Sequence, residues 1–144
     1  MYQTRTYDPG QVDLNVGGRD ITGYADGTFI DVERNVDQTT LVVGADGEST
    51  VALSQNRSGK FTITLQQSSP SNDYLNSLCN ALEARSGGFV PVLVKDNNGT
   101  TLAAAKKAWV VKRAKASFGK DVENREWILE SGNLALDIGG SAEV

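Results

Sequence analysis

The residue types that perform most enzymatic chemistry are scarce in this chain of 144 residues. It contains no histidine and a single cysteine, Cys79. Histidine is the commonest general base, the usual activator of nucleophiles and the commonest metal ligand. Cys79 falls on the apolar stripe of a predicted helix, which is typical of core packing. The composition therefore excludes catalytic triads and histidine-based metal sites, and we expect no enzymatic activity, cofactor or metal.

Carboxylate pairs and glycine-rich turns are the next candidates. Asp31 with Glu33, or Glu123 with Glu126, have the residue types of a glycosidic acid–base pair. Any chain with 18 acidic residues offers such pairs, however. The Asp-Gly turns lack the alternating carboxylates of a calcium-binding loop. The double glycines match no phosphate-binding spacing and are typical of turns.

A basic cluster around Trp109 is the strongest candidate for ligand binding. Clustered bases and an aromatic ring can hold phosphates and stack bases; here the bases are Lys106, Lys107, Lys112, Arg113 and Lys115. The formal net charge of −4 disfavours a nucleic-acid partner. The charge is −6 over residues 1–50 and +2 over residues 51–144. Such asymmetry can help copies of a protein dock onto one another, or simply solvate a face.

Short alternating segments and 15 glycines predict a mainly β fold. A hairpin is predicted around Gly17-Gly18, and a second hairpin at the end of the chain around Ser131-Gly132-Asn133. Between them, strands are predicted at 30–33, 60–67, 89–95 and 100–106. Segment 103–116 is ambiguous, since its alanines and lysines favour helix whereas Trp109-Val110-Val111 favours strand; we predict a strand that breaks near residues 112–114.

One helix is predicted over 70–84. Ser69 supplies a cap and Pro70 a favourable first-turn residue. Apolar residues then recur at helical spacing until Gly87-Gly88: Tyr74, Leu75, Leu78, Cys79 and Leu82.

Segment 35–59 is predicted to form a hairpin that protrudes from the rest of the chain. Its apolar residues are Val36, Leu41, Val42, Val43, Val51 and Leu53. Exposed apolar strands pair with other chains, so either the segment folds back or a partner covers it. We predict that these six residues form contacts between subunits.

These elements predict one domain over residues 1–144, a β-barrel or sandwich of about eight or nine strands with a flanking helix. The first ten residues are polar, and no stretch approaches the roughly 18 apolar residues that cross a membrane. We therefore expect a protein made in the cytoplasm, without a membrane partner.

A series of short motifs resembles the tail-tube family of contractile-tailed bacteriophages. No single motif is specific, but their order and spacing match over nearly the whole chain. The motifs are Gly23–Gly27, Glu33–Asn35, Val43–Gly47, Asn56–Gly59, Thr62–Leu65, Ser68–Asn72, Phe118–Lys120, Trp127 and Gly139-Gly140.

The resemblance implies a β-barrel with a flanking helix, related to the type VI secretion inner tube and assembled as hexameric rings. Rings in this family stack through a long loop between early strands, the position of segment 35–59. The implied partners are the tail sheath, baseplate and tape-measure proteins, with genomic DNA passing through unbound. The implied location is the virion tail, assembled in the host cytoplasm. A tail terminator or a secretion-tube homologue is the alternative, and nucleic-acid binding is less favoured.

In such tubes an inner sheet lines the channel. A polar or acidic wall suits sliding DNA because it does not bind phosphate. The predicted wall residues are Asp31, Glu33, Thr62, Thr64 and Gln66. For each residue taken singly, the solvated face of a half-buried sheet explains its type equally well.

Overall fold

The computed structural model describes residues 4–140 and contains ten strands, one α-helix and a short 3-10 helix at Pro9–Gln11. The strands are β1 Val12–Val16, β2 Arg19–Asp20, β3 Ile30–Arg34, β4 Thr39–Val43, β5 Ser49–Leu53, β6 Gly59–Gln66, β7 Val90–Asp96, β8 Leu102–Lys112, β9 Asn124–Ser131 and β10 Leu134–Asp137. Helix α1, Ser71–Glu83, lies between β6 and β7. It is too short and too polar to cross a membrane, as is any helix within residues 4–140.

Eight strands form one antiparallel sheet in the order β2-β1-β7-β8-β9-β6-β3, with β10 beside β8. Strands β4 and β5 form a separate two-stranded sheet. The mainly β class and the sandwich-like fold are confirmed, with ten strands in place of the eight or nine expected. Within residues 4–140 no ladder joins the two end strands, β2 and β3, so the sheet does not close into a barrel. Residues 1–3 and 141–144 of the proposed domain lie outside the described residues.

The inner face of the large sheet forms one hydrophobic core. Strand β6 shows the period-2 pattern most clearly, since Phe61, Ile63 and Leu65 are fully buried and alternate with half-buried threonines. Its neighbour β9 adds Trp127 and Leu129 to the same core. The opposite face of these strands is left for polar residues.

Helix α1 packs on the sheet through Leu75 and Cys79, both buried. The observed bounds lie one residue inside the predicted range at each end. Ser69 Oγ accepts a hydrogen bond from the Ser71 amide at 3.2 Å and donates one to the Thr22 carbonyl at 2.6 Å. The predicted cap is therefore wrong, because Pro70 is the N-cap residue and forms no side-chain cap hydrogen bond. Ser69 instead ties the start of the helix to the chain after β2.

The predicted terminal hairpin is wrong. Strand β10 pairs with the first half of β8, from Leu134 opposite Ala105 to Asp137 opposite Leu102, whereas β9 pairs with the second half of β8. Ser131-Gly132-Asn133 is therefore a kink within one long path along β8, not a reversal of the chain. The kink is fixed because the Ser131 hydroxyl donates to the Lys107 carbonyl at 2.8 Å.

Segment 103–116 is a strand, as predicted, and it ends at Lys112. Strand structure does not resume before Asn124. After the Gly17-Gly18 turn an extended segment is predicted over 19–24, but the second strand comprises only Arg19–Asp20. Gly17 has φ 61°, and a Cβ there would lie 2.4 Å from the Tyr74 hydroxyl, which donates to the Val16 carbonyl at 2.9 Å. This turn therefore has no room for a side chain.

Candidate assembly interface

Hairpin β4–β5 leaves the large sheet as predicted, and every residue of its two strands is exposed. Its large apolar side chains remain more than half accessible: Leu41 64%, Val42 55%, Val43 58%, Val51 59% and Leu53 71%. A two-stranded hairpin alone is marginally stable in water. The described subunit thus leaves these apolar side chains uncovered.

The ladder register divides the hairpin into two unlike faces. Leu41 lies opposite Val51, Thr39 opposite Leu53 and Val43 opposite Ser49. Because directly paired residues share a face, Leu41, Val43, Val51 and Leu53 form one side, which we call the apolar face. Val42 lies opposite Thr50, and Thr40 opposite Ala52, on the other side. Val36 precedes β4, is 43% exposed and belongs to neither face.

Hydrogen bonds hold the base of the hairpin. The Asn35 amide donates to the Ser58 carbonyl at 3.0 Å, and its side chain donates to the Ser58 hydroxyl at 3.1 Å. Arg34 Nη2 donates to the Leu134 carbonyl at 2.8 Å, across the gap between β3 and β10. The hairpin therefore projects from a fixed base, while the rest of it contacts little of its own subunit.

The five predicted wall residues lie together on the outer face of β3 and β6. Asp31 is opposite Thr62 in the ladder, and Thr64 and Gln66 follow at two-residue spacing on the same side. Glu33 is opposite Lys60 and forms an ion pair with it at 3.3 Å. The structure thus brings the five together on one face.

Strand β9 extends this face with acidic residues that were not among those predicted from the sequence. Glu126 lies opposite Thr64, and Glu130 lies opposite Lys60. The face of β3, β6 and β9, which we call the wall face, therefore carries four carboxylates and one ammonium: Asp31, Glu33, Glu126, Glu130 and Lys60. Alternation within residues 126–130 signals a polar side, but only the ladder shows that it continues the side of β6.

Two of the candidates for chemistry, Cys79 and Arg113, occupy structural positions. Burial raises the pKa of the Cys79 thiol, with a further rise from Glu83 and an opposing effect of Arg113. Arg113 forms an ion pair with Glu83 at 2.9 Å and also hydrogen-bonds Asn76 and Asn80. One member of the basic cluster thus fastens the end of β8 to helix α1.

Comparison with known proteins gives concordant results. Residues 13–139 match the family described as Bacteriophage PhiTE tail tube protein. Structural protein ORF10 of Pseudomonas phage KPP10 is 31% identical over 150 residues, covering 99% of this chain and 87% of that protein.

Two solved structures share the fold. The PVC sheath/tube terminator of an extracellular contractile injection system, in its extended state, has a TM-score of 0.67 at 14% identity, covering 94% of this chain and 99% of that one. The PVC sheath–tube complex has a TM-score of 0.66 at 15% identity, covering 92% and 91%. The family match spans most of the sequence, and the chain belongs to the phage tail tube protein family.

Proposed function

We propose that this chain is the structural subunit of a phage tail tube, that it assembles into stacked hexameric rings, and that their channel conducts DNA during ejection. The observation that carries the proposal is hairpin β4–β5, an apolar element that its own subunit leaves uncovered. Family membership supports the same assignment.

Burial of the apolar face supplies a driving force for assembly. Complete burial of a Leu or Val side chain stabilises by roughly 1.5–3 kcal/mol. That face carries four such side chains, Leu41, Val43, Val51 and Leu53. In a ring, the same contact forms once for every subunit, so the stabilisation adds up around the ring. Head-to-tail contacts of this kind form rings or filaments. The six apolar residues predicted from the sequence, including Val36 and Val42, belong to this proposed contact region.

The wall face is the surface suited to line the channel. Its carboxylates outnumber its single ammonium, Lys60, and that ammonium is already paired with Glu33. Phosphate is repelled by such a surface, and DNA moving past it forms no counterion-releasing contacts. Asp31, Glu33, Thr62, Thr64 and Gln66 are therefore proposed to face the channel, joined by Glu126 and Glu130 from β9.

The same proposal fixes the remaining roles. The subunit performs no covalent chemistry and holds no cofactor; it functions in the virion tail after assembly in the host cytoplasm. Tail sheath, baseplate and tape-measure proteins contact the tube. The likeness to a sheath/tube terminator supports a second candidate, a terminating ring that does not polymerise.

Particle shape separates these functions. Purified chain should be concentrated near physiological salt, followed by light scattering and imaged by negative-stain electron microscopy. Tubes of uniform bore are expected. Single rings that never stack would indicate a terminator, and a monomer at high concentration without rings or tubes would contradict both.

A further inference from the structure

A second apolar surface lies on the outside of the large sheet, around Phe89. It is a groove of about 520 Å³, which we call the Phe89 groove. The groove is lined by Phe89, Ala104, Lys106, Lys107, Trp109 and the kink 131–133 with Ala135. Phe89 is 50% exposed, and its ring meets that of Trp109 edge-on with centroids 6.0 Å apart.

A β-bulge gives this groove its two positive charges. Val90 pairs with Ala108 but Val92 pairs with Ala105, so β8 carries one residue more than β7 at this point. The usual alternation is therefore interrupted, and the consecutive residues Lys106 and Lys107 are both exposed. Lys107 Nζ lies 4.5 Å from the centroid of the Phe89 ring. The groove combines an apolar floor with a cationic rim.

The hairpin has the complementary character. Its apolar face ends at the turn that carries Asp46 and Glu48, both exposed. The Asp46 carboxylate accepts the Glu48 amide at 3.1 Å and so holds the turn. The hairpin therefore offers an apolar face with an acidic tip, whereas no residue of β4 or β5 lines the Phe89 groove of its own subunit.

We infer that the Phe89 groove receives the hairpin of a second copy of this chain, with Asp46 and Glu48 against Lys106 and Lys107. The inference rests on the proposed function and names the partner surface of the hairpin. It accounts for the acidic first part and basic second part of the sequence, because charges of opposite sign meet across a head-to-tail contact.

The position of the groove supports an occupant. Trp109 lies opposite Glu130 in the β8–β9 ladder, so the groove adjoins the wall face. Uncovered lysines beside a DNA channel would hold phosphate. An acidic hairpin tip neutralises them. Trp109 is also half-buried and packed against Phe89, which makes it a poor stacking platform for bases.

Charge exchange tests the pairing. Lys106→Glu with Lys107→Glu alters the groove. Asp46→Asn with Glu48→Lys alters the tip while leaving an oxygen at position 46 to hold the turn. Each of these two double substitutions should weaken self-association about tenfold, as measured by light scattering. The variant that combines all four substitutions should recover most of the lost association. Lys112→Glu with Lys115→Glu is the control of equal charge change and should weaken association much less. Weakening by both pairs without recovery in the combination contradicts the inference.

Disulfide trapping tests proximity directly. Both variants are made in a Cys79→Ala background, so that each chain has one cysteine. Chains with Ala45→Cys are mixed with isotopically labelled chains with Gly132→Cys. Gly132 has room for the new side chain, because a Cβ there meets nothing within 4 Å. Oxidation should give mixed disulfides between labelled and unlabelled chains, because such bonds need Cα atoms within about 7 Å. In the control, Ser77→Cys on helix α1 replaces Gly132→Cys, and no mixed disulfide should form.

The outcomes separate the inference from the proposed function. Normal tubes without the mixed disulfide contradict the pairing and leave the tube subunit intact. A chain that never associates contradicts both. Binding of a labelled duplex DNA to the monomer is the third outcome. If that binding weakens as salt rises and is absent in the Lys106→Glu, Lys107→Glu variant, the groove is a nucleic-acid site instead.

Discussion

Leu41 lies directly opposite Val51 in hairpin β4–β5, and both side chains are more than half exposed. Leu41→Asp with Val43→Asp places two charges on the apolar face. If that face is buried between subunits, the cost is several kcal/mol per contact, and tubes should not form. Electron microscopy scores tubes, and circular dichroism shows that the subunit remains folded.

Thr40→Asp with Thr50→Asp is the matched control on the opposite face, since neither threonine belongs to the proposed contact region. It adds the same charge to the same hairpin and should reduce assembly far less. Equal loss in the two variants would show that both faces are buried. Normal tubes from the folded Leu41→Asp, Val43→Asp variant would move the contact away from the hairpin.

Gly59 is predicted to tolerate no side chain. A Cβ there would lie 2.2 Å from Leu134 Cδ2 and 2.9 Å from the Glu33 carbonyl oxygen, at the base of the hairpin. Gly59→Ala should lower the free energy of unfolding by about 1–3 kcal/mol, as overpacking does. Urea denaturation measures it. Gly132→Ala, where a Cβ meets nothing within 4 Å, is the control and should change stability little; equal effects would refute the steric explanation.

Tyr24 should titrate late. Burial raises the pKa of its hydroxyl from 10.0 to about 12, with smaller contributions from Asp13 and Asp20. Because the folded pKa exceeds the unfolded one, this contribution to stability is complete below pH 10 and disappears as the pH rises from about 10 to about 12. Tyrosinate absorbance should show one of the four tyrosines titrating last, a step that Tyr24→Phe removes. A folded protein whose tyrosines all titrate together near 10 would disprove it.

The wall face should not retain DNA. Assembled tubes are expected to bind duplex DNA weakly at physiological salt, since carboxylates predominate there. Thr62→Lys with Thr64→Lys should make tubes retain DNA in a salt-sensitive way, measured by co-sedimentation. The same two lysines at Ser77 on helix α1 and at Ala84 just after it are the control, since both positions are exposed. Strong retention by unaltered tubes would mean that another face lines the channel.

Local sequence patterns predicted the elements better than their partners. The helix and β6 were predictable because their apolar spacing is set within one segment. Leu41 and Val42 fall on opposite faces by simple alternation. A prediction that takes the apolar run 41–43 as one unit overlooks this difference. Ser131-Gly132-Asn133 has the residue types of a turn, and local chemistry does not distinguish a reversal from a kink. The kink depends on the distant Lys107 carbonyl.

The Phe89 groove could not be predicted for the same reason. Lys106 and Lys107 are adjacent in sequence, so regular alternation would direct them to opposite sides of β8. The bulge that exposes both is defined only by pairing with β7. Likewise, Glu126 and Glu130 join the wall face only through the β6–β9 register.

A cryo-electron microscopy reconstruction of assembled tubes tests the central claim most directly. It should show sixfold rings in which hairpin β4–β5 is buried between subunits and the wall face of β3, β6 and β9 lines the bore. Tubes in which the hairpin stands free in solvent, or in which another face of the subunit lines the bore, would contradict it.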